Sequence, residues 1–194
     1  GRVKRRDGSA NLAGPLNIWG NDMTEWTVPG GVLLAGKTAV VTGVGPGLGR
    51  DIAIGLARQG ADVMLVARSD RHTPAIAEEI RAFGRRAIEV HANIASADDV
   101  AGLAAAVEEH FGGSLDMLVN SAFHGGDFTQ FADADLNRWR KVMDVNFWGT
   151  LGVTQALVPA LSKAGDASGD ARVVMINTMS TQMIEANAGA YAAS

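Results

Sequence analysis

The residues whose spacing most clearly implies chemistry are glycines. Gly43-Val44-Gly45-Pro46-Gly47-Leu48-Gly49 follows a short apolar run, Thr38 to Thr42, and leads into a segment of helical pattern, Asp51 to Arg58. Glycine lets a backbone turn sharply, lets a pyrophosphate approach the N–H groups of a helix N-terminus, and lets helix and strand pack closely. That chemistry is the holding of a dinucleotide, with Gly43, Gly45, Pro46, Gly47, Leu48 and Gly49 as its cradle. After the next apolar run, where a carboxylate would bond the adenosine ribose hydroxyls, the chain has Ala67-Arg68-Ser69. Arg68 can pair with a 2′-phosphate, so NADP is expected ahead of NAD, with Ser69 beside it.

A second glycine motif misleads. Gly31-Val32-Leu33-Leu34-Ala35-Gly36-Lys37-Thr38 satisfies the phosphate-loop expression G-x-x-x-x-G-K-[ST]. Such a loop must follow a strand and open a helix, whereas this one leads into a strand, so no triphosphate site is expected there. His72, His91, His110 and His124 have no ligand-like spacing and the chain has no Cys, so no metal site is expected.

These residues need elements to carry them. Beyond Thr38 to Thr42, apolar runs at Val63 to Ala67, Ala87 to His91, Leu115 to Val119 and Arg172 to Ile176 read as strands. Helical segments alternate with them. Thr73-Pro74 supplies a cap and a first-turn proline for a helix with Ile76, Ile80 and Phe83 on one face, closed by Gly84. Ser96 and Asp99 form a capping box for a helix ending at Phe111, before Gly112-Gly113. Asp135 to about Leu161 reads as one long helix, followed by a loop from Ala164 to Asp170. Strands apolar throughout, separated by helices, predict a doubly wound α/β domain whose parallel sheet is covered on both faces.

With 47% hydrophobic and 20% charged residues, the chain has the profile of a globular domain able to bury a core. The absent cysteines exclude disulfide scaffolds and thiol nucleophiles and make a cytoplasmic location the simpler expectation. The longest nearly apolar stretch, Val100 to Val107, is far below the roughly 18 residues of a membrane span, so no membrane partner is expected. A net charge of −4 argues against nucleic acid, and the basic cluster Arg2, Lys4, Arg5 and Arg6 reads as a solvated tail. Residues 1–35 are expected to be a tail or arm, with Met23 a plausible native start and 1–22 extraneous or an extension. Residues 36–194 are expected to be the dinucleotide-binding domain.

The pattern Thr42-Gly43-x-x-x-Gly47-x-Gly49 resembles the cofactor motif of the short-chain dehydrogenase/reductase family, NAD(P)-dependent oxidoreductases with a Rossmann fold. Further matches follow in order. Asn93-Ile94 resembles the family's step beside the adenine, with Asn in place of Asp. Asn120-Ser121-Ala122-Phe123 resembles its Asn-Asn-Ala-Gly loop, with Ser121 and Phe123 as the departures. Asn146 resembles the helix Asn that helps organise a proton relay. Thr178 stands thirteen residues before Tyr191, the interval the family keeps between its catalytic Ser and Tyr, with Ser180 as fallback. Tyr191-Ala192-Ala193-Ser194 resembles the start of the family's Tyr-x-x-x-Lys.

The resemblance implies an alcohol dehydrogenase or carbonyl reductase acting on a small-molecule carbonyl or alcohol. Tyr191 would be general acid in reduction and base in oxidation and would also touch the cofactor, as would Asn120 and Ala122; Thr178 would hydrogen-bond the carbonyl oxygen, and Asn146 would organise the relay. A phenol in water releases its proton near pH 10, so that role needs a neighbouring cation. The family pairs subunits through the long helix, which implies a homodimer or homotetramer, with Trp139, Met143 and Phe147 as a buried or subunit-facing stripe. The alternative reading is a non-catalytic dinucleotide-binding or sensor domain. Single-domain α/β enzymes commonly reach roughly 250 residues. A chain cut before the motif's Lys, its C-terminal part missing and itself a poor catalyst, is therefore expected.

Overall fold

The structure, a computed structural model, describes residues 32–182 and 186–194. Residues 1–31, with the tail and the Met23 start expected among them, lie outside the described residues. Five strands form one parallel sheet in the order β3-β2-β1-β4-β5: β1 (Thr38–Thr42), β2 (Asp62–Ala67), β3 (Ala87–His91), β4 (Met117–Asn120) and β5 (Arg172–Met175). The helices between them are α1 (Leu48–Arg58), α2 (Thr73–Ala82), α3 (Ala97–Phe111), α4 (Leu136–Met143) and α5 (Thr150–Ser168), and the short α6 (Gly189–Ala193) follows β5. This is the doubly wound α/β arrangement the alternating pattern predicts.

The central strands read as apolar throughout because they feed two cores. Successive strand residues face opposite sides of a sheet. Val40, Met64, Val66 and Leu118 therefore join Leu103 and Val107 of α3 and Val153 and Leu157 of α5. Val41, Val63 and Leu65 join Ala53, Ile54 and Ala57 of α1 and Ile76 and Ile80 of α2 on the other side. The outer strand β5 departs from the expectation of a sheet covered on both faces. Val173, Val174 and Met175, and Ile176 just beyond the strand, are 41–47% exposed. Among the described residues β5 pairs only with β4.

Four local expectations are corrected. The long helix is interrupted: Asp144–Gly149 takes a π turn, so α4 and α5 are separate α-helical lengths joined by a wider one. Its C-terminal part runs through the segment read as a loop, ending at Ser168, because Ala164 is buried and the left-handed Gly169 (φ +73°) supplies the stop. For α2 the N-cap is His72, with no side-chain cap bond, and Thr73 is buried inside the first turn. The fourth strand begins at Met117, two residues later than its apolar run, because Asp116 serves side-chain bonds instead. Its carboxylate accepts from Lys37 Nζ at 2.7 Å and from Thr38 N at 2.9 Å. The same ion pair occupies the lysine of the phosphate-loop-like motif. By contrast, the Ser96 cap on α3 forms as read, Ser96 Oγ accepting from Asp99 N at 3.3 Å.

Asp116 and Asp62 also set a pH dependence. Partial burial pushes the Asp116 carboxyl up, but hydrogen bonds from Lys37 and Thr38 outweigh it and hold the group below its ordinary value. Burial likewise opposes, and the bonds from Arg86 and Arg85 outweigh it, at Asp62. Both groups favour the native state when ionised. Their contribution is complete above the ordinary carboxylate range and is lost as pH falls through the lowered native values. Urea midpoints should therefore decline on acidification, and Asp116→Asn should flatten that decline. At neutral pH Asp116→Ala should cost about 2 kcal/mol.

Candidate functional site

The strand order reverses between β1 and β4, and the carboxyl ends of those strands open a crevice. Thr42 closes β1 with a buried hydroxyl that accepts from Ser121 N at 3.1 Å and Ala122 N at 3.2 Å, tying the loop after β4 to the loop after β1. Glycine is required at two points of the turn that follows. Gly43 has φ +72°, and a Cβ there would stand 2.4 Å from Ala122 Cα. A Cβ on Gly49 would stand 2.5 Å from the Gly43 carbonyl oxygen. At Gly45 and Gly47 a Cβ would meet nothing within 4 Å, so these two leave open space beside the start of α1.

Two cavities meet over Gly43, Gly45, Ser121, Ala122 and Phe123. The first, about 590 Å³, is bounded by the glycine turn through Pro46, Leu48 and Gly49 on one side, and it also receives Asn120, Asn146, Thr178 and Tyr191. The second, about 450 Å³, lies past the end of β2 and is lined by Arg68, Ser69, Asn93 and Ile94. Every residue singled out from the sequence as a cofactor or catalytic candidate lines one of these cavities; the fallback Ser180 lines neither. Asn120 is buried, donating from Nδ2 to Thr154 Oγ1 at 3.0 Å, while its Oδ1 has no partner among the described residues. Asn93 uses its side chain locally, Oδ1 accepting from Ala95 N at 3.2 Å. The Ile94 carbonyl lies where a Cβ on Gly149 would come within 2.9 Å, so Gly149 lets the π turn pass close to the β3 end.

That π turn aims Asn146. Its Oδ1 accepts from His124 N at 2.7 Å, and its Nδ2 donates to His124 O at 3.1 Å and to Ser194 Oγ at 2.7 Å. Ser194 Oγ in turn donates to the Tyr191 carbonyl at 3.0 Å, so Asn146 is tied to the helix that carries Tyr191. The other end of α6 is wedged: a Cβ on Gly189 would lie 2.5 Å from Trp139 Cη2. Of the stripe Trp139, Met143 and Phe147, only Phe147 is exposed, at 39%, its ring edge-on to Trp148. Thr178 ends the segment after β5 as a cap, its Oγ1 accepting from Ser180 N at 3.3 Å. Tyr191 is half-buried, its ring centroid 6.2 Å from that of Phe123.

Sequence reasoning missed several neighbours. Thr42 was legible only as the motif's first letter, although a hydroxyl residue closing an apolar strand signals a tie to the next loop. Ser194 and Trp139 act through tertiary contacts that no local pattern announces. Among the described residues no group of three or more His, Cys, Asp or Glu could hold a metal, and no helix is long and apolar enough to cross a membrane.

Comparison with known proteins adds an independent finding. The family model for short chain dehydrogenases matches residues 37–194. An uncharacterized oxidoreductase of Methylorubrum extorquens is 36% identical over 152 residues, covering 78% of this chain and 60% of that protein. The 11-beta-hydroxysteroid dehydrogenase A of Sesamum indicum is 31% identical over 151 residues, covering 77% and 42%. The chain thus spans less than two thirds of these relatives' length. Among solved structures, a 7 alpha-hydroxysteroid dehydrogenase complexed with NADH and 7-oxo glycochenodeoxycholic acid superposes with TM-score 0.77 at 28% identity, covering 84% of this chain and 61% of the other. The NADH-dependent reductase A1-R′ complexed with NAD superposes with TM-score 0.77 at 29% identity, covering 82% and 67%.

Proposed function

Because the chain belongs to the short chain dehydrogenase family, we propose that its protein is an alcohol dehydrogenase or carbonyl reductase moving a hydride between a nicotinamide dinucleotide and a carbonyl or secondary alcohol. The observation that carries this reading is the convergence of Tyr191, Thr178 and Asn146 on the cavity whose other wall is the glycine turn. The crevice fits a dinucleotide: Gly45 and Gly47 leave room at the start of α1, and the adjoining cavity extends to Arg68 and Ser69. In this reading the pyrophosphate lies on the glycine turn and the adenosine half lies between Arg68, Ser69, Asn93 and Ile94.

The nicotinamide, when bound, supplies or accepts the hydride at the substrate carbon. The chain must handle the proton. In reduction the Tyr191 phenol donates to the carbonyl oxygen, and in oxidation it takes the proton from the alcohol. Thr178 donates a hydrogen bond to the same oxygen and holds the carbonyl in line. Asn146 keeps the π turn and α6 in register through His124 and Ser194, so the phenol stays where the proton must pass. A small carbonyl or alcohol is the proposed partner, in a homodimer or homotetramer without nucleic acid or membrane, in the cytoplasm.

The test is direct. Titrating the protein with NADH and NADPH while following nicotinamide fluorescence should show saturable binding. A panel of ketones and secondary alcohols should then show hydride transfer. Binding without transfer to any of the panel would leave only the dinucleotide-binding or sensor reading. No binding of either cofactor would overturn both readings.

Cofactor choice rests on Arg68. It is exposed at the end of the second cavity, and its guanidinium forms no ion pair among the described residues. NADPH should bind tighter than NADH, and Arg68→Ala should weaken NADPH roughly tenfold or more while changing NADH little. An NADH preference in the parent protein would remove this role from Arg68.

A further inference from the structure

We propose that Phe123 determines substrate class, making this a site for carbonyl or alcohol carbons that bear a flat apolar substituent, such as an aryl group. The inference rests on the reading of Tyr191 given above. Phe123 stands where the resembled loop has its glycine, so the ring is a departure from that motif. It is 66% exposed, yet it lines both cavities at their junction. Its ring lies 6.2 Å from that of Tyr191, tilted by 56°.

The backbone on either side of this ring is held. Ala122 N donates to Thr42 Oγ1 at 3.2 Å, and the next residue, His124, is gripped at both N and O by the Asn146 amide at 2.7 and 3.1 Å. A large apolar side chain presented to the crevice from a fixed backbone is preorganised for contact, since little freedom remains to be lost when a ligand covers it. A pyrophosphate has no use for an apolar ring. A substrate oxygen brought to the Tyr191 phenol places its carbon substituents beside Phe123, because the two rings share one wall. An aryl group there can take an offset or edge-to-face arrangement with Phe123, and water leaves both surfaces. A methyl group in the same place covers little of the ring.

The experiment measures binding and turnover separately, using acetophenone and acetone as probes. Calorimetry of each ketone with the protein, in the presence and absence of oxidised cofactor, should show acetophenone bound at least about tenfold tighter than acetone. Phe123→Gly should erase that preference and Phe123→Leu should retain part of it. Because the side chain is largely exposed, the variants should keep the parent's thermal midpoint. Equal affinity for the two ketones, binding of neither, or a preference that survives Phe123→Gly overturns the proposal. A weakened cofactor in Phe123→Gly with the ketone preference unchanged assigns the ring to the cofactor and equally overturns it. A ketone preference that depends on Phe123 without any hydride transfer supports this inference while removing the oxidoreductase reading on which it was built.

Discussion

Tyr191→Phe should leave folding intact and lower hydride transfer by about 10²- to 10⁴-fold, the range general acid–base catalysis supplies. The change removes one oxygen from a half-buried side chain and keeps the ring that faces Phe123 at 6.2 Å. Packing of α6 against Trp139 and the Ser194 bond to the Tyr191 carbonyl use the backbone and are untouched by the substitution. The loss should therefore fall on turnover, with KM nearly constant, since the phenol proton moves only as hydride transfer proceeds. Activity equal to the parent's would take the proton-transfer role away from Tyr191. Thr178→Ser is a useful companion, because it keeps the hydroxyl and removes only a methyl group.

Gly43→Ala should be the most damaging single methyl in the site, costing about 3 kcal/mol or more. Left-handed backbone costs a residue with a Cβ about 1 kcal/mol, and forcing an atom into a packed position typically adds about 1–3 kcal/mol. The added carbon would meet Ala122 Cα at 2.4 Å and Ala122 N at 2.6 Å, which are backbone atoms and not the end of a flexible side chain. Nor can that backbone withdraw freely, because the Ala122 N–H is bound to the buried Thr42 hydroxyl. Gly45→Ala separates stability from binding. With nothing within 4 Å of its Cβ, it should melt with the parent yet bind the dinucleotide more weakly if the pyrophosphate lies there. Denaturant midpoints and cofactor titrations on both variants decide the matter, and a Gly43→Ala protein as stable as its parent would refute the close-packing account.

Much of the scaffold was legible because its signals are local. Thr38–Thr42 and Ala87–His91 appear with the bounds their apolar runs predict. The glycine turn is legible for a related reason: few residue types satisfy its backbone, so the constraint is written into composition. The features that escaped are those fixed by contacts distant in sequence. Nothing within Asp144–Gly149 announces a π turn, which depends on Gly149 passing the Ile94 carbonyl and on Asn146 gripping His124. Val173 and Val174 look no different, as letters, from the buried Val40 and Val41, because an apolar run records β-propensity and not what covers it. At the site, Phe123 was visible as a departure from a motif, but its place beside Tyr191 emerges only when the loop after β4 and helix α6 are brought together.

The π turn also constrains how this chain can change in length. In an α-helix each residue advances the azimuth by about 100°. The wider turn at Asp144–Gly149 advances less per residue, so it takes up one extra residue without adding to the rotation between α4, whose Val142 is buried, and α5, whose Val153, Leu157 and Leu161 face the sheet. Substitutions in this stretch act one side chain at a time. Deleting a single residue inside it would let the turn relax to ordinary pitch with the apolar stripe of α5 still facing β1 and β4, although Asn146 would turn from His124. A deletion scan along α4 and α5 should therefore find one narrow window, Asp144–Gly149, where a shortened chain still folds, while the same deletion within α5 turns its buried stripe by about 100° and unfolds the protein.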